Sequence, residues 1–201
     1  MQALQARVTL LSTDPFRGQN AARFEVREGD VEPDTGSSRA EVTGPTFDEG
    51  QDIYVRDAIR IPAGNTFSAP WQLIDQLHEK PWTGSPGIAV FLDAERRISI
   101  SNGTGSPFYW QGPRLELERW YELIYRDNLS QDPTQGFVEV WLNGHPQTLT
   151  NGATRMYGRT IETPETYLKA GIYRSKFSTG TSIVEHADLG VGPTLASVLG
   201  R

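Results

Sequence analysis

The sequence contains no cysteine, only three histidines and no long apolar run among its 201 residues. Without cysteine there are no disulfides and no thiolate chemistry, and the redox compartment cannot be inferred. No apolar segment approaches the roughly 20 residues that a membrane-spanning helix needs, and residues 1–11 lack the layout of a signal peptide. We therefore expect no membrane insertion, and an extracellular location reached after removal of a signal or on a virus particle.

Positive charge is also scarce, because 19 lysines and arginines face 25 aspartates and glutamates, for a formal net charge of −6. Proteins that bind nucleic acids or membrane surfaces in general need a broad positive field. This balance argues against both partners. It is compatible with a small basic groove that holds one acidic polysaccharide chain.

Turn residues are abundant instead, with 20 glycines and 13 prolines, and many short segments alternate between apolar and polar residues. This composition favours short strands joined by turns, and only residues 116–122 resemble a helix. We predict one all-β domain over residues 1–201, a two-sheet antiparallel jelly-roll sandwich of the concanavalin-like kind with a groove on its concave face. The predicted strands are 3–11, 22–27, 38–42, 52–61, 71–78, 87–93, 97–101, 120–126, 137–142, 167–174 and 182–190.

The segment 167–174 is the most informative of these strands. Period-two alternation places Leu168, Ala170 and Ile172 on a core face. The opposite face carries Tyr167, Lys169, Gly171 and Tyr173, and a glycine there leaves room for a ligand to approach the backbone. In segment 71–78, the same alternation groups Trp71, Leu73 and Leu77 on one face, and Gln72, Ile74, Gln76 and His78 on the other.

Three strands therefore place large polar groups on one face at even spacing, namely Arg39 with Glu41, Gln76 with His78, and Lys169 with Tyr173. If the strands are neighbours, this set suits β-elimination on a uronic acid. Cations and an amide would neutralise the carboxylate, while the imidazole and the phenol would serve as base and acid. Each residue alone is more often structural, and Arg39 and Glu41 could form an ordinary ion pair.

The same three segments, Ser38–Val42, Gln76–His78 and Tyr167–Tyr173, occur in this order and resemble the signature segments of jelly-roll polysaccharide lyases. That group includes the family-seven alginate lyases, the glucuronan lyases and the heparin lyase I-like enzymes. The resemblance extends over residues 20–192. Ala40 and Val42 depart from the usual serine and leucine, and Arg174 replaces the usual asparagine, which points towards the heparin lyase-like branch.

The resemblance implies roles for five residues. It implies that Arg39 and Gln76 bind the uronate carboxylate, that His78 is a base or neutraliser, and that Tyr173 is the catalytic acid and also a candidate base. Lys169 is implied as a groove cation. We predict two catalytic residues, His78 and Tyr173, and six substrate-binding residues, Arg39, Glu41, Gln76, Tyr167, Lys169 and Arg174.

No cofactor is expected and no residue is predicted as a metal ligand, although a structural calcium ion in the loop Asp127–Asp132 stays open. His145 and His186 are interpreted as structural. Two other functions compete with the lyase: a catalytically silent, lectin-like carbohydrate-binding module, and a structural virion protein, such as a phage tail component, that attaches to host glycans.

Overall fold

A computed structural model describes residues 7–32, 36, 38–66, 68–81, 84–105 and 107–200, with the backbone alone for 13–15. These residues form fourteen strands and one short helix. In chain order they are β1 Val8–Phe16, β2 Gln19–Val26, β3 Ser38–Asp48, β4 Asp52–Arg60, β5 Gln72–Lys80, β6 Ile88–Leu92, β7 Arg97–Ser101, β8 Phe108–Arg114, β9 Trp120–Asn128, β10 Phe137–Leu142, β11 His145–Pro146, β12 Met156–Tyr157, β13 Glu165–Arg174, β14 Ser182–Gly192 and α1 Leu195–Val198.

The strands form two antiparallel sheets. One has the order β1-β2-β14-β4-β9-β10-β11, with β12 paired to β10, and the other has the order β3-β13-β5-β6-β7-β8. The predicted all-β sandwich is confirmed. Within the described ranges, no helix has the length and apolar character needed to cross a membrane.

The predicted strands are present, and the differences have local causes. The segment 116–122 is not helical, because Glu118 has a φ of +60° and Trp120 begins β9. The prediction missed β8, β11, β12 and α1. The first strand begins at Val8, and residues 3–6 of the predicted strand lie outside the described residues. Asn143 and Gly144, both with positive φ, make the tight turn between β10 and β11.

The hydrophobic core fills the space between the sheets. Leu168, Ala170 and Ile172 of β13 are all at most 2% exposed, as the alternation predicts. The face prediction for β5 is wrong at its start: a register shift between Leu73 and Asp75 breaks the alternation. Ile74 consequently belongs to the core, while Leu73 lines the concave face.

Gly171 does not leave room for a ligand, contrary to the prediction. Its φ is +136°, and a Cβ atom there would lie 2.3 Å from the carbonyl oxygen of Ala40 and 2.8 Å from the Phe24 ring. A register shift between β13 and β5 at Ala170–Tyr173 accompanies this conformation. The glycine is therefore required by close packing of the backbone.

Two polar contacts link the sheets across the core. Tyr125 of β9 donates its hydroxyl to Asp75 of β5 at 2.9 Å. His186 of β14 places Nδ1 2.7 Å from Asp57 Oδ2 and Nε2 3.3 Å from the carbonyl oxygen of Gly171 on β13. His186 is thus part of the interior, which agrees with its interpretation as structural.

Candidate active site

A groove of about 1080 Å³ lies on the face of the six-stranded sheet that points away from the core. Five of the eight residues predicted for the site line it. They are Arg39 of β3, His78 of β5, and Tyr167, Lys169 and Tyr173 of β13. The three segments meet because β13 lies between β3 and β5.

The strand register fixes the order of these side chains. Arg39 lies opposite Tyr173, while Tyr167 lies opposite His78 and Lys169 lies opposite Gln76. Tyr173 itself faces Leu73, five residues from His78, which corresponds to about 16 Å along the strand. Lys169 therefore occupies the middle of the site, with His78 on one side and Tyr173 on the other.

Tyr173 lies beside two positively charged side chains. The Arg39 guanidinium carbon lies 5.3 Å from the centroid of the Tyr173 ring, and Lys169 Nζ lies 6.0 Å from it. Trp71 packs edge-on against the same ring, with centroids 5.0 Å apart. The half-buried Tyr173 ring thus packs against one aromatic side chain and lies beside two cations, which suit an anionic group of a ligand.

Glu41 contacts both of these cations. Its Oε2 lies 2.6 Å from Lys169 Nζ and 3.8 Å from the Arg39 guanidinium. Gln76 donates its side-chain amide to Glu41 Oε1 and is only 1% exposed. Gln76 therefore lies beneath the groove and does not line it, and Glu41 lines an adjoining smaller cavity. Direct binding of the uronate by these two residues stays a prediction.

His78 is 5% exposed and is held by the next residue in the sequence. Its Nδ1 lies 3.2 Å from Glu79 Oε2 and 3.3 Å from the Glu79 carbonyl oxygen. Burial lowers the pKa of His78, and the positive charges of Lys169 and Arg39 lower it further. For the neighbouring carboxyl the effect of burial is opposite, and it raises the pKa of Glu79 to about 7. At neutral pH the imidazole is uncharged and can accept a proton.

The sequence reasoning missed Glu79 and the half of the groove over β6–β8. Glu79 directly follows His78 in the sequence, which could have suggested a contact between them. Strict alternation, however, assigns neighbouring residues of a strand to opposite faces. Phe91, Ser99 and Gln111 belong to strands with no polar pattern that distinguishes them.

Arg174 does not reach the groove, although it was predicted to bind substrate. Its guanidinium donates to Ser182 Oγ at 2.8 Å and to the Gly180 carbonyl at 3.2 Å, and the residue is 1% exposed. Since Tyr173 faces the groove, alternation turns the next side chain towards the other sheet. Arg174 stabilises the connection to β14.

The loop considered for calcium does not gather its carboxylates. Asp127 is fully buried in β9, whereas Asp132 accepts hydrogen bonds from the backbone and hydroxyl of Thr134. Among the described residues no group of three or more histidine, aspartate or glutamate side chains is arranged to hold a metal ion.

The fold resembles that of solved carbohydrate-active enzymes. An endo-β-1,4-glucuronan lyase from the fungus Trichoderma reesei superposes with a TM-score of 0.73 at 16% identity, covering 98% of this chain and 91% of that one. The family 7 alginate lyase AlgAT5 gives 0.60 at 14% identity, with coverages of 91% and 84%. A GH131 β-glucanase domain from Podospora anserina gives 0.64 at 13% identity, with 98% and 84%.

At these identities the structural likeness establishes the fold alone, and the same fold carries a glucanase as well as lyases. No curated protein matches the sequence. The family comparison is more specific, because the model described as polysaccharide lyase matches residues 2–188. This chain belongs to the polysaccharide lyase family.

Proposed function

We propose that the protein cleaves a uronic-acid-containing polysaccharide by β-elimination. The observation that carries this proposal is the position of Tyr173 beside two cations, Arg39 and Lys169, in an open groove. An open groove admits a polymer along its length, and two cations suit a carboxylate. The location we propose is extracellular, where such polymers occur.

The reaction removes the proton from C5, the carbon that bears the carboxylate. The electron pair of that C–H bond forms a double bond between C4 and C5, and the bond from C4 to the glycosidic oxygen breaks. The leaving oxygen takes up a proton. The products are a new chain end with a free hydroxyl and an unsaturated uronate, and no oxidant or reductant is needed.

The proposed proton acceptor and proton donor lie on opposite sides of Lys169. Arg39 and Lys169 pair with the carboxylate, so that negative charge developing at C5 is tolerated. The neutral imidazole of His78 takes the C5 proton, and the Tyr173 hydroxyl gives its proton to the leaving oxygen. Glu41 and Gln76 keep the Lys169 ammonium in place. The groove supports this assignment, because His78, Lys169 and Tyr173 all line it.

The test is ultraviolet absorbance from unsaturated uronate ends, recorded with alginate, glucuronan, heparin and hyaluronan. We expect a rise with at least one polymer and a loss of about 100-fold or more in Tyr173→Phe, the range for a lost general acid. The matched control is Tyr157→Phe, which alters an exposed tyrosine on the other sheet and should keep full activity.

Two results would overturn the proposal. Binding to glycans with no rise in absorbance, unchanged by Tyr173→Phe, would identify a lectin-like module. Assembly into virus particles with neither cleavage nor a groove-dependent effect would identify a structural virion protein.

A further inference from the structure

The paired cations Arg39 and Lys169 lie at one end of the groove. A row of directly paired residues crosses the sheet from β3 to β8, and every member lines the groove. The row is Arg39, Tyr173, Leu73, Phe91, Ser99 and Gln111. Five strand spacings make it about 24 Å long, enough for several sugar units. Beyond Tyr173 its side chains are uncharged.

The remaining lining of the β6–β8 half is also nearly uncharged. Among the described residues, Arg97 and Asp93 are the charged side chains that line this half. They belong to the same turn, where Asp93 Oδ1 accepts the backbone N–H of Arg97 at 2.8 Å. The Arg97 guanidinium itself donates to the Gly112 carbonyl at 3.4 Å. One cation and one carboxylate give this half no net charge, and a single cation cannot pair with a row of carboxylates.

The other flank of the site is acidic. A cavity of about 410 Å³ adjoins Arg39 and Lys169, and its described lining holds four carboxylates against three cations. All three cations already contact carboxylates there: Arg7 contacts Asp30 at 3.0 Å, Arg39 contacts Glu32 at 3.3 Å and Lys169 contacts Glu41 at 2.6 Å. A second uronate on this side would meet like charge, which costs binding energy. The net charge of −6 adds a general repulsion of polyanions.

From this distribution we infer that the groove selects a heteropolysaccharide in which one uronate is flanked on both sides by uncharged sugars, in preference to a continuous polyuronate. The inference rests on the proposed function. One uronate pairs with Arg39 and Lys169, while the neighbours on the β6–β8 side contact Phe91, Ser99 and Gln111. Aromatic and hydroxyl or amide groups suit neutral sugar rings.

The experiment compares two polymers that share glucuronate but differ in its neighbours. Hyaluronan alternates glucuronate with an uncharged N-acetylated sugar, and glucuronan carries a carboxylate on every unit. With oligosaccharides of equal length, we expect kcat/KM to be at least about tenfold higher for hyaluronan. Equal or faster cleavage of glucuronan would overturn the inference and leave the proposed function intact. No cleavage of any polymer would remove the proposed function.

A designed cation tests the cause of this preference. Gln111→Lys places a positive charge at the exposed end of the row and should raise kcat/KM on glucuronan about threefold or more, with no gain on hyaluronan. Thr148→Lys is the matched control, since it changes the net charge equally at an exposed position outside the groove. An equal gain in both variants would mean that net charge alone acts, which would also overturn the inference.

Binding gives an independent measurement. The affinity of Tyr173→Phe for the two oligosaccharides, measured by calorimetry, should show the same order as the cleavage rates. This holds even if the wild-type protein cleaves neither polymer, so tighter binding of the glucuronan oligosaccharide would contradict the charge argument by itself.

Discussion

At the scale of single residues, the protonation of His78 decides what it can do. A buried imidazole close to two cations favours its neutral form, because a third positive charge in the same place is costly. Glu79 is kept partly protonated by its own burial. The pair His78–Glu79 thus provides a neutral acceptor beside Lys169.

The first prediction is an acidic limit to activity. The pKa of His78 is lowered from 6.5, so kcat/KM should fall as the pH drops through a value below 6.5, where the imidazole becomes charged. In His78→Asn the remaining activity should no longer fall in this pH range. The measurement is the pH profile of absorbance change, with His145→Asn, an exposed histidine, as the control. The same fall in activity in His78→Asn would show that another group titrates there and that His78 is not the base.

At the scale of elements, β13 supports both the site and the core. It pairs with β3 on one side and β5 on the other, and it carries Lys169 and Tyr173 above Leu168 and Ile172. The irregular pairing at Gly171 accompanies its close packing against Ala40. A substitution that disturbs this strand should therefore affect folding first and activity as a consequence.

The second prediction concerns Gly171. Gly171→Ala places a methyl group against the Ala40 carbonyl at a φ of +136°, so we expect a loss of unfolding free energy of about 2 kcal/mol or more. Denaturant titration measures it. In Gly190→Ala, also within a strand, the added Cβ meets nothing nearer than 4.0 Å, and the change should stay small. Equal effects in the two variants would show that close packing at Gly171 is not the cause.

The third prediction concerns the core face of β13. Leu168→Ala should lower the free energy of unfolding by about 2–5 kcal/mol, since a fully buried leucine leaves a cavity. Val42→Ala on neighbouring β3, where the side chain is 43% exposed, should cost about 0.5 kcal/mol or less. A Leu168→Ala protein as stable as the wild type would contradict the assignment of this face.

At the scale of the whole molecule, the two sheets are joined by buried acids as well as by hydrophobic contact. Asp75 accepts the Tyr125 hydroxyl across the core, and burial together with the nearby Asp57 raises the pKa of Asp75 to about 8. Burial by itself lowers the pKa of His186, but the Asp57 carboxylate outweighs it and the pKa is raised. The stability of the sandwich is therefore linked to pH.

The fourth prediction follows from the sign of that linkage. Between its ordinary value of 3.8 and about 8, Asp75 is protonated in the folded state and ionised in the unfolded state. The free energy of unfolding should therefore fall as pH rises through this window, by at most about 1.4 kcal/mol per pH unit for this one group.

Denaturant midpoints at pH 5, 6.5 and 8 measure this slope. Asp75→Asn mimics the protonated acid and should flatten it, while Glu95→Gln, which alters an exposed carboxylate, should not. A slope that is the same in all three proteins would show that Asp75 does not titrate in this range.

The sequence by itself determined the sandwich and five of the residues that line the groove. Alternation in segments such as Leu168–Ile172 is a local property of strands, and the order of three polar segments marked Arg39, His78 and Tyr173. The core face of β13 and the β-rich fold follow from this alternation because a strand with one apolar face must bury it.

Only the tertiary structure decided how these residues are used. Arg174 points to the core side of the sheet, and Gln76 donates its hydrogen bond to Glu41. Leu73 and Ile74 lie on the faces opposite to those predicted, because the pairing of β5 is irregular there. These outcomes depend on partners distant in the sequence, such as Ser182 for Arg174 and Ala40 for Gly171. The uneven charge of the groove likewise arises only when six strands are paired in register, because no single strand carries it.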